Sequence, residues 1–141
     1  ENLFHEWFHM FQQSSGGDIF NPLKTVYAEF ERAIFEDICT CVAENTPGSK
    51  TTLQGRRWYS KNRSEAVSSE IIERYDRYLK TICENRSSAR YPSSIESSDV
   101  SAYFQEFKRT STYASMSFSN DSTFSTSVIN RALTAIADSC N

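Results

Sequence analysis

Residues 21–44 read NPLKTVYAEFERAIFEDICTCVAE. Leu23, Val26, Tyr27, Phe30, Ile34, Ile38 and Val42 recur at three- and four-residue steps, the spacing of one face of an α-helix. Asn21-Pro22 reads as an N-cap followed by proline at the first helical position, where the missing N–H is no loss. Asn45-Thr46-Pro47-Gly48 is a breaker cluster that ends the element. A long amphipathic helix over 22–44 is therefore predicted as the centre of a mainly helical fold.

Upstream, Leu3, Phe4, Trp7, Phe8 and Phe11 share the same periodicity and predict a short helix ending before Ser14-Ser15-Gly16-Gly17. This helix is expected to dock on the 22–44 helix. Leu3, Phe4, Trp7 and Phe8 are expected to be covered by later helices, with Trp7 or Phe8 in the core. Downstream, residues 49–63 are polar and basic around Trp58 and Tyr59, and read as a surface loop or short hairpin. Ser64 is placed as the cap of a helix carrying Val67, Ile71, Ile72, Tyr75, Tyr78, Leu79 and Ile82. The serine-rich stretch from Arg86 to Ser98 reads as a loop. Two more helices are expected, over about Asp99–Tyr113 and about Thr123–Ala137. Residues 1–141 are thus read as one domain, with 1–45 supplying a pair of site-bearing helices and 64–141 a helical remainder.

The chain of 141 residues is close to the usual size of one domain, and 38% hydrophobic content is enough for one core. A formal net charge of -3 gives no electrostatic reason to expect nucleic acid or an anionic membrane as the main partner. No apolar run approaches the roughly 20 residues of a spanning helix. The first residues lack the pattern of a signal peptide, so a soluble protein is expected, either intracellular or already processed. Cys39 and Cys41 lie about 200° apart around a helix and cannot comfortably bridge each other. Idle thiols are one reading. Pairing of Cys83 or Cys140 with one of them, or with each other, is the other.

The only two histidines occur in His5-Glu6-Trp7-Phe8-His9, the pattern H-E-x-x-H. Four residues is just over one helical turn, so both imidazoles project from one face and can bind one metal ion. Zn2+ is the expected metal, with His5 and His9 as ligands. Zinc lowers the pKa of its water towards about 7, and Glu6, beside the ligands, is placed to take the proton as general base. A catalytic zinc usually takes three protein ligands. Glu29, 20 residues after His9 and on the next predicted helix, is the first candidate for the third. Glu31 is the reserve, although about 200° around the helix from Glu29 the two cannot both face the metal.

The arrangement resembles the gluzincin metallopeptidases, in which H-E-x-x-H on one helix is completed by Glu on the following helix. Ala28-Glu29-Phe30-Glu31-Arg32-Ala33-Ile34-Phe35 is similar to the ligand helix of small bacterial zincin-like proteins. Gln12, three residues after His9, extends the likeness, which spans about residues 3–38. The resemblance implies peptide-bond hydrolysis by zinc-activated water, with a peptide or protein as substrate. Asp18, nine residues after His9, is a further candidate ligand because aspzincins use Asp at a similar distance, and it ranks below Glu29 because the pattern that surrounds that Asp in aspzincins is absent here. Thermolysin-like members carry Asp four residues after the ligand Glu, where this chain has Ala33. They also place a sheet before the active-site helix, so the resemblance implies a C-terminal, helical part of a zincin-like fold, completed by an N-terminal portion or a partner chain and only weakly active alone. The alternative is a helical binding or interaction module without catalysis, suggested by the aromatics of the C-terminal half.

Overall fold

A helix with apolar residues on every side must be surrounded, because no face of it can be left to water without loss. The computed structural model shows this for the central helix; it describes residues 2–15, 25–48, 57–61, 67–84, 91–92, 94–110 and 125–139. Among them are six helices and no strand: α1 (Asn2–Ser14), α2 (Thr25–Glu44), α3 (Trp58–Lys61), α4 (Ser69–Glu84), α5 (Ser97–Thr110) and α6 (Ser127–Ser139). The fold is mainly α. No described helix is long and apolar enough to cross a membrane.

Helix α2 packs against α1, α3, α4 and α5. Phe30, Ile34, Phe35, Ile38 and Val42 are fully buried, and so nearly are the polar Glu29, Glu31, Asp37 and Thr40. The simple amphipathic reading is corrected here: the polar positions of α2 also face protein. Asn21-Pro22 lies outside the described residues, and α2 is described from Thr25. Its end falls where the breaker cluster predicts, with the Asn45 and Thr46 amides returning to Cys41 and Ala43 carbonyls. Gly48 takes a positive φ of 75°, which glycine adopts without the Cβ clash of other residues.

One side of α2 meets an aromatic core. Phe30 lies 5.3 Å from Phe104 and 5.2 Å from Phe107, centroid to centroid. Trp58 sets its edge against Tyr75 and Phe107, each at 5.7 Å. Edge-to-face contact suits the ring quadrupole, and each such pair adds about 0.5–1.5 kcal/mol beyond area burial. Residues 57–61 therefore correct the expectation of a surface loop or hairpin. Arg57 precedes a short helical turn whose Trp58 is 1% exposed.

The reason is Asp37. Its Oδ2 accepts from the Trp58 backbone N–H at 3.2 Å and from the Tyr75 hydroxyl at 2.8 Å. This buried carboxylate ties α2 to α3 and α4. Burial pushes its pKa up to about 7, against the opposing pull of Tyr75, the Trp58 amide and Arg57.

Three helix starts differ from expectation. Val67 and Ser68 precede the helix expected to begin at Ser64, which begins at Ser69. Ser68 is its cap: its Oγ accepts from Ile71 N and its carbonyl from Ile72 N. Helix α5 begins at Ser97, inside the stretch read as loop, and Tyr113 lies outside the described residues. Helix α6 begins at Ser127; Thr123 is outside the described residues. Asn130 of α6 holds the segment before α5, donating to the Ile95 carbonyl at 3.0 Å and accepting from Ile95 N at 2.9 Å.

Helix α1 docks on α2 through Phe8, which is fully buried with its ring 4.6 Å from Phe35. Phe4 and Phe11 are partly buried against the same core. Leu3 and Trp7 correct the expectation of burial. They are 86% and 44% exposed. Trp7 lies along Phe4 and Phe11 of its own helix and reaches only the edge of α2, its ring centroid 6.4 Å from that of Phe35.

Two outcomes follow. Phe8→Ala should destabilise the chain by about 3–5 kcal/mol, whereas Leu3→Ala should change it by less than about 0.5 kcal/mol, both read from denaturant unfolding. Asp37 binds a proton in the folded state at pH values where the unfolded chain has released it. Its contribution is present below the unfolded pKa, near 4, and is lost as pH rises to about 7. Asp37→Asn keeps an acceptor for both bonds and removes the titration. The variant should lack a decline on the order of 2–4 kcal/mol between pH 4 and 7 that the unaltered chain shows.

Candidate metal centre

The docking of α1 on α2 brings its two histidines against one carboxylate of α2. His5 Nε2 and His9 Nε2 lie 3.0 Å apart. Glu29 Oε1 is 3.2 Å from His9 Nε2 and 4.0 Å from His5 Nε2. Tetrahedral zinc with bonds of about 2.0–2.1 Å places neighbouring ligand atoms about 3.3 Å apart. The three separations straddle that value. Among the described residues His5, His9 and Glu29 form the one cluster of such geometry.

What holds each of them is as informative as their separation. Gln12, 1% exposed, donates from Nε2 to the Ala28 carbonyl at 3.0 Å and to Glu31 Oε2 at 2.6 Å. A carbonyl can only accept, so Ala28 fixes which end of the amide faces α2. Oε1 is then turned to His9 Nδ1, 2.7 Å away. An amide oxygen can only accept, so His9 carries its proton on Nδ1, and in the neutral ring the lone pair lies on Nε2. That lone pair faces Glu29 Oε1 and His5 Nε2.

His5 Nε2–H can donate to that lone pair at 3.0 Å, and a metal ion bound by all three atoms would take the place of this hydrogen bond. His5 is held below its ordinary pKa first by burial and then by the Arg32 charge, which favours the neutral, metal-binding form of the ring.

Arg32 sets the carboxylate. Its Nε donates to Glu29 Oε2 at 3.3 Å and its Nη1 to Glu36 Oε2 at 2.6 Å. One oxygen of Glu29 is thereby occupied while the other faces the histidines. The pairing has a physical cost for a cation site, because the guanidinium offsets part of the Glu29 charge.

The other predicted site residues fall as follows. Glu6 is exposed and gives no atom to the cluster, though its charge acts on His5. It lies about 60° from His9 around the helix. Glu31 is not with the histidines: it is buried against Gln12, and burial pushes its pKa up to about 7 against the pull of that hydrogen bond. Asp18 lies outside the described residues.

Sequence reasoning gave Gln12 only a likeness and did not use Arg32 at all. Gln12 lies one turn after Phe8, on the face turned to α2, and Arg32 lies one turn after Glu29. Those two spacings are the signals that could have found them.

Comparison with protein-family models, with characterised proteins and with solved structures gives no match to this chain. The site stands on its own geometry.

The Gln12 clamp has a direct spectroscopic consequence. Histidine nitrogen NMR of the metal-free chain should show His9 protonated at Nδ1 in both its neutral and charged forms. Gln12→Ala should release that constraint and give a mixture of tautomers. A neutral His9 carrying its proton only on Nε2 in the unaltered chain would contradict the clamp.

Proposed function

We propose that the chain is a zinc-dependent hydrolase of the metallopeptidase type, with His5, His9 and Glu29 as metal ligands and Glu6 as general base. The observation that carries the reading is the convergence of two imidazole nitrogens and one carboxylate oxygen, all within 4.8 Å, from two different helices. Zinc bound there would polarise a carbonyl and make water acidic enough to ionise near neutral pH.

The protein's own groups then divide the work. Gln12 holds His9 in the tautomer that presents Nε2, and Arg32 holds Glu29 with Oε1 inward. Glu6, exposed beside the ligands rather than among them, is free to take a proton from the attacking water and return it to the leaving amine. A peptide or protein is the substrate class in this reading, as the resemblance to gluzincins implies.

A second reading is favoured by one observation. Leu3, Trp7 and Met10 are exposed along one helix, at 86%, 44% and 68%. An apolar stripe of that kind suits a helical interaction module without catalysis.

Metal titration combined with peptide hydrolysis separates the two. The unaltered chain should bind one zinc ion, His9→Ala and Glu29→Gln should each weaken binding by about tenfold or more, and Glu6→Gln should keep the metal while losing hydrolysis. Failure to bind zinc at micromolar levels would favour the interaction module. Release of zinc by Glu6→Gln would remove the role given to Glu6.

A further inference from the structure

Three of the four cysteines lie in described residues, and none of the three is in a disulfide. They do not share one environment. Cys39 and Cys41 are both buried, 7% and 4% exposed, but burial pushes the Cys39 thiol up to about 12, far from the reactive thiolate form. Cys41, two residues on, is turned about 200° around the helix towards α4. There it meets Leu79, and Cys83 lies one helical turn beyond Leu79 on α4, a neighbour that acts on the Cys41 thiol across the α2–α4 packing. Cys41 Sγ also donates to the Leu79 carbonyl at 3.7 Å and accepts from Asn45 Nδ2 at 3.6 Å.

The surroundings of the two sulfurs differ. Cys41 lines a surface cleft of about 390 Å³, shared with Arg57, Tyr59 and Lys80. Cys83 is 1% exposed and is not part of the cleft lining. Of the two, Cys41 is the one that borders the cleft. The Cys83 contact, the Arg57 charge and the Asn45 hydrogen bond to Cys41 Sγ stabilise a thiolate. The Cys83 contact is the largest of these contributions, and together they outweigh the burial and the Glu44 charge that oppose it.

We propose that Cys41 and Cys83 form a reversible redox pair, with Cys41 the thiol that attacks a small hydroperoxide in the cleft and Cys83 the thiol that resolves the product. The Cys41 thiolate attacks one peroxide oxygen; an S–O bond forms, the O–O bond breaks, and an alcohol, or water from hydrogen peroxide, leaves after protonation. Cys83 then attacks the Cys41 sulfur. The S–S bond forms, the S–O bond breaks, and the hydroxyl leaves as water with the Cys83 proton. Two electrons pass from the sulfurs to the peroxide, and a small dithiol reverses the step by exchange. The product ties α2 to α4. This pair stands apart from the histidine cluster and does not depend on metal binding.

The test uses the full, folded chain. It is exposed to equimolar hydrogen peroxide, alkylated, digested and mapped by mass spectrometry. The expected product is a peptide pair joined through Cys41 and Cys83, with two hydrogens lost from the intact mass and full recovery on adding dithiothreitol. In the reduced native chain, Cys41 should react with an alkylating reagent about tenfold or more faster than Cys39. Cys83→Ser should stop the reaction at a sulfenic acid on Cys41, trapped by dimedone. The mapping needs no variant, so a folding defect in Cys83→Ser leaves the test intact. A dominant link through Cys39 or Cys140, oxidation of Cys41 directly to sulfinic acid, or equal alkylation of Cys39 and Cys41 would overturn the proposal.

Discussion

Gln12 is a neutral side chain buried between two helices, and a buried amide must satisfy a donor group and an acceptor at once. It does so by donating to the Ala28 carbonyl and the Glu31 carboxylate of α2 while accepting from His9 of its own helix. Placing α1 elsewhere on α2 would leave polar groups buried without partners, a loss of about 1–3 kcal/mol for each. Phe8 supplies the apolar area of the same docking surface. The amide supplies its register. Because Ala28 is adjacent to Glu29, the register that satisfies Gln12 is also the one that sets His5 and His9 against Glu29.

Helix α2 carries this arrangement because it is enclosed by its neighbours. At its N-terminal half Glu29, Arg32 and Glu36 form a chain of ion pairs, with side chains only 11–15% exposed. At its C-terminal half Asp37 holds α3 and α4 through one carboxylate oxygen. Both halves bury polar groups beside designated partners, and removing one partner strands the other in a low-dielectric setting. The helix that looks like a simple core element is therefore also a row of polar anchors. Each anchor fixes a different neighbour.

How much of this was legible in the sequence depends on the range of the interaction. The pairing of His5 with His9 follows from helical arithmetic alone, and the nomination of Glu29 from a turn between two consecutive helices. The arrangement around Gln12 does not, since the orientation of its amide is set by a backbone carbonyl of another helix. Ser64, Ser68 and Ser69 look alike as caps in a serine-rich stretch, and only the bond from Ile71 N to Ser68 Oγ separates them. Trp58 sits among basic residues that suggest a surface loop, and nothing local announces that Asp37, 21 residues away, accepts its backbone N–H. Leu3 and Trp7 follow the helical period faithfully and are exposed nonetheless; periodicity identifies a face without showing what covers it.

The central claim is that one zinc ion is shared by His5, His9 and Glu29, and X-ray absorption at the zinc edge of the metal-loaded chain addresses it most directly. The account predicts a four-coordinate ion with two imidazole nitrogens and carboxylate and water oxygens at about 2.0–2.2 Å, and loss of one imidazole signature in His5→Ala. Sulfur at about 2.3 Å would place the metal on cysteine instead, and a shell of oxygens without imidazole would place it on surface carboxylates. Either result would contradict the account.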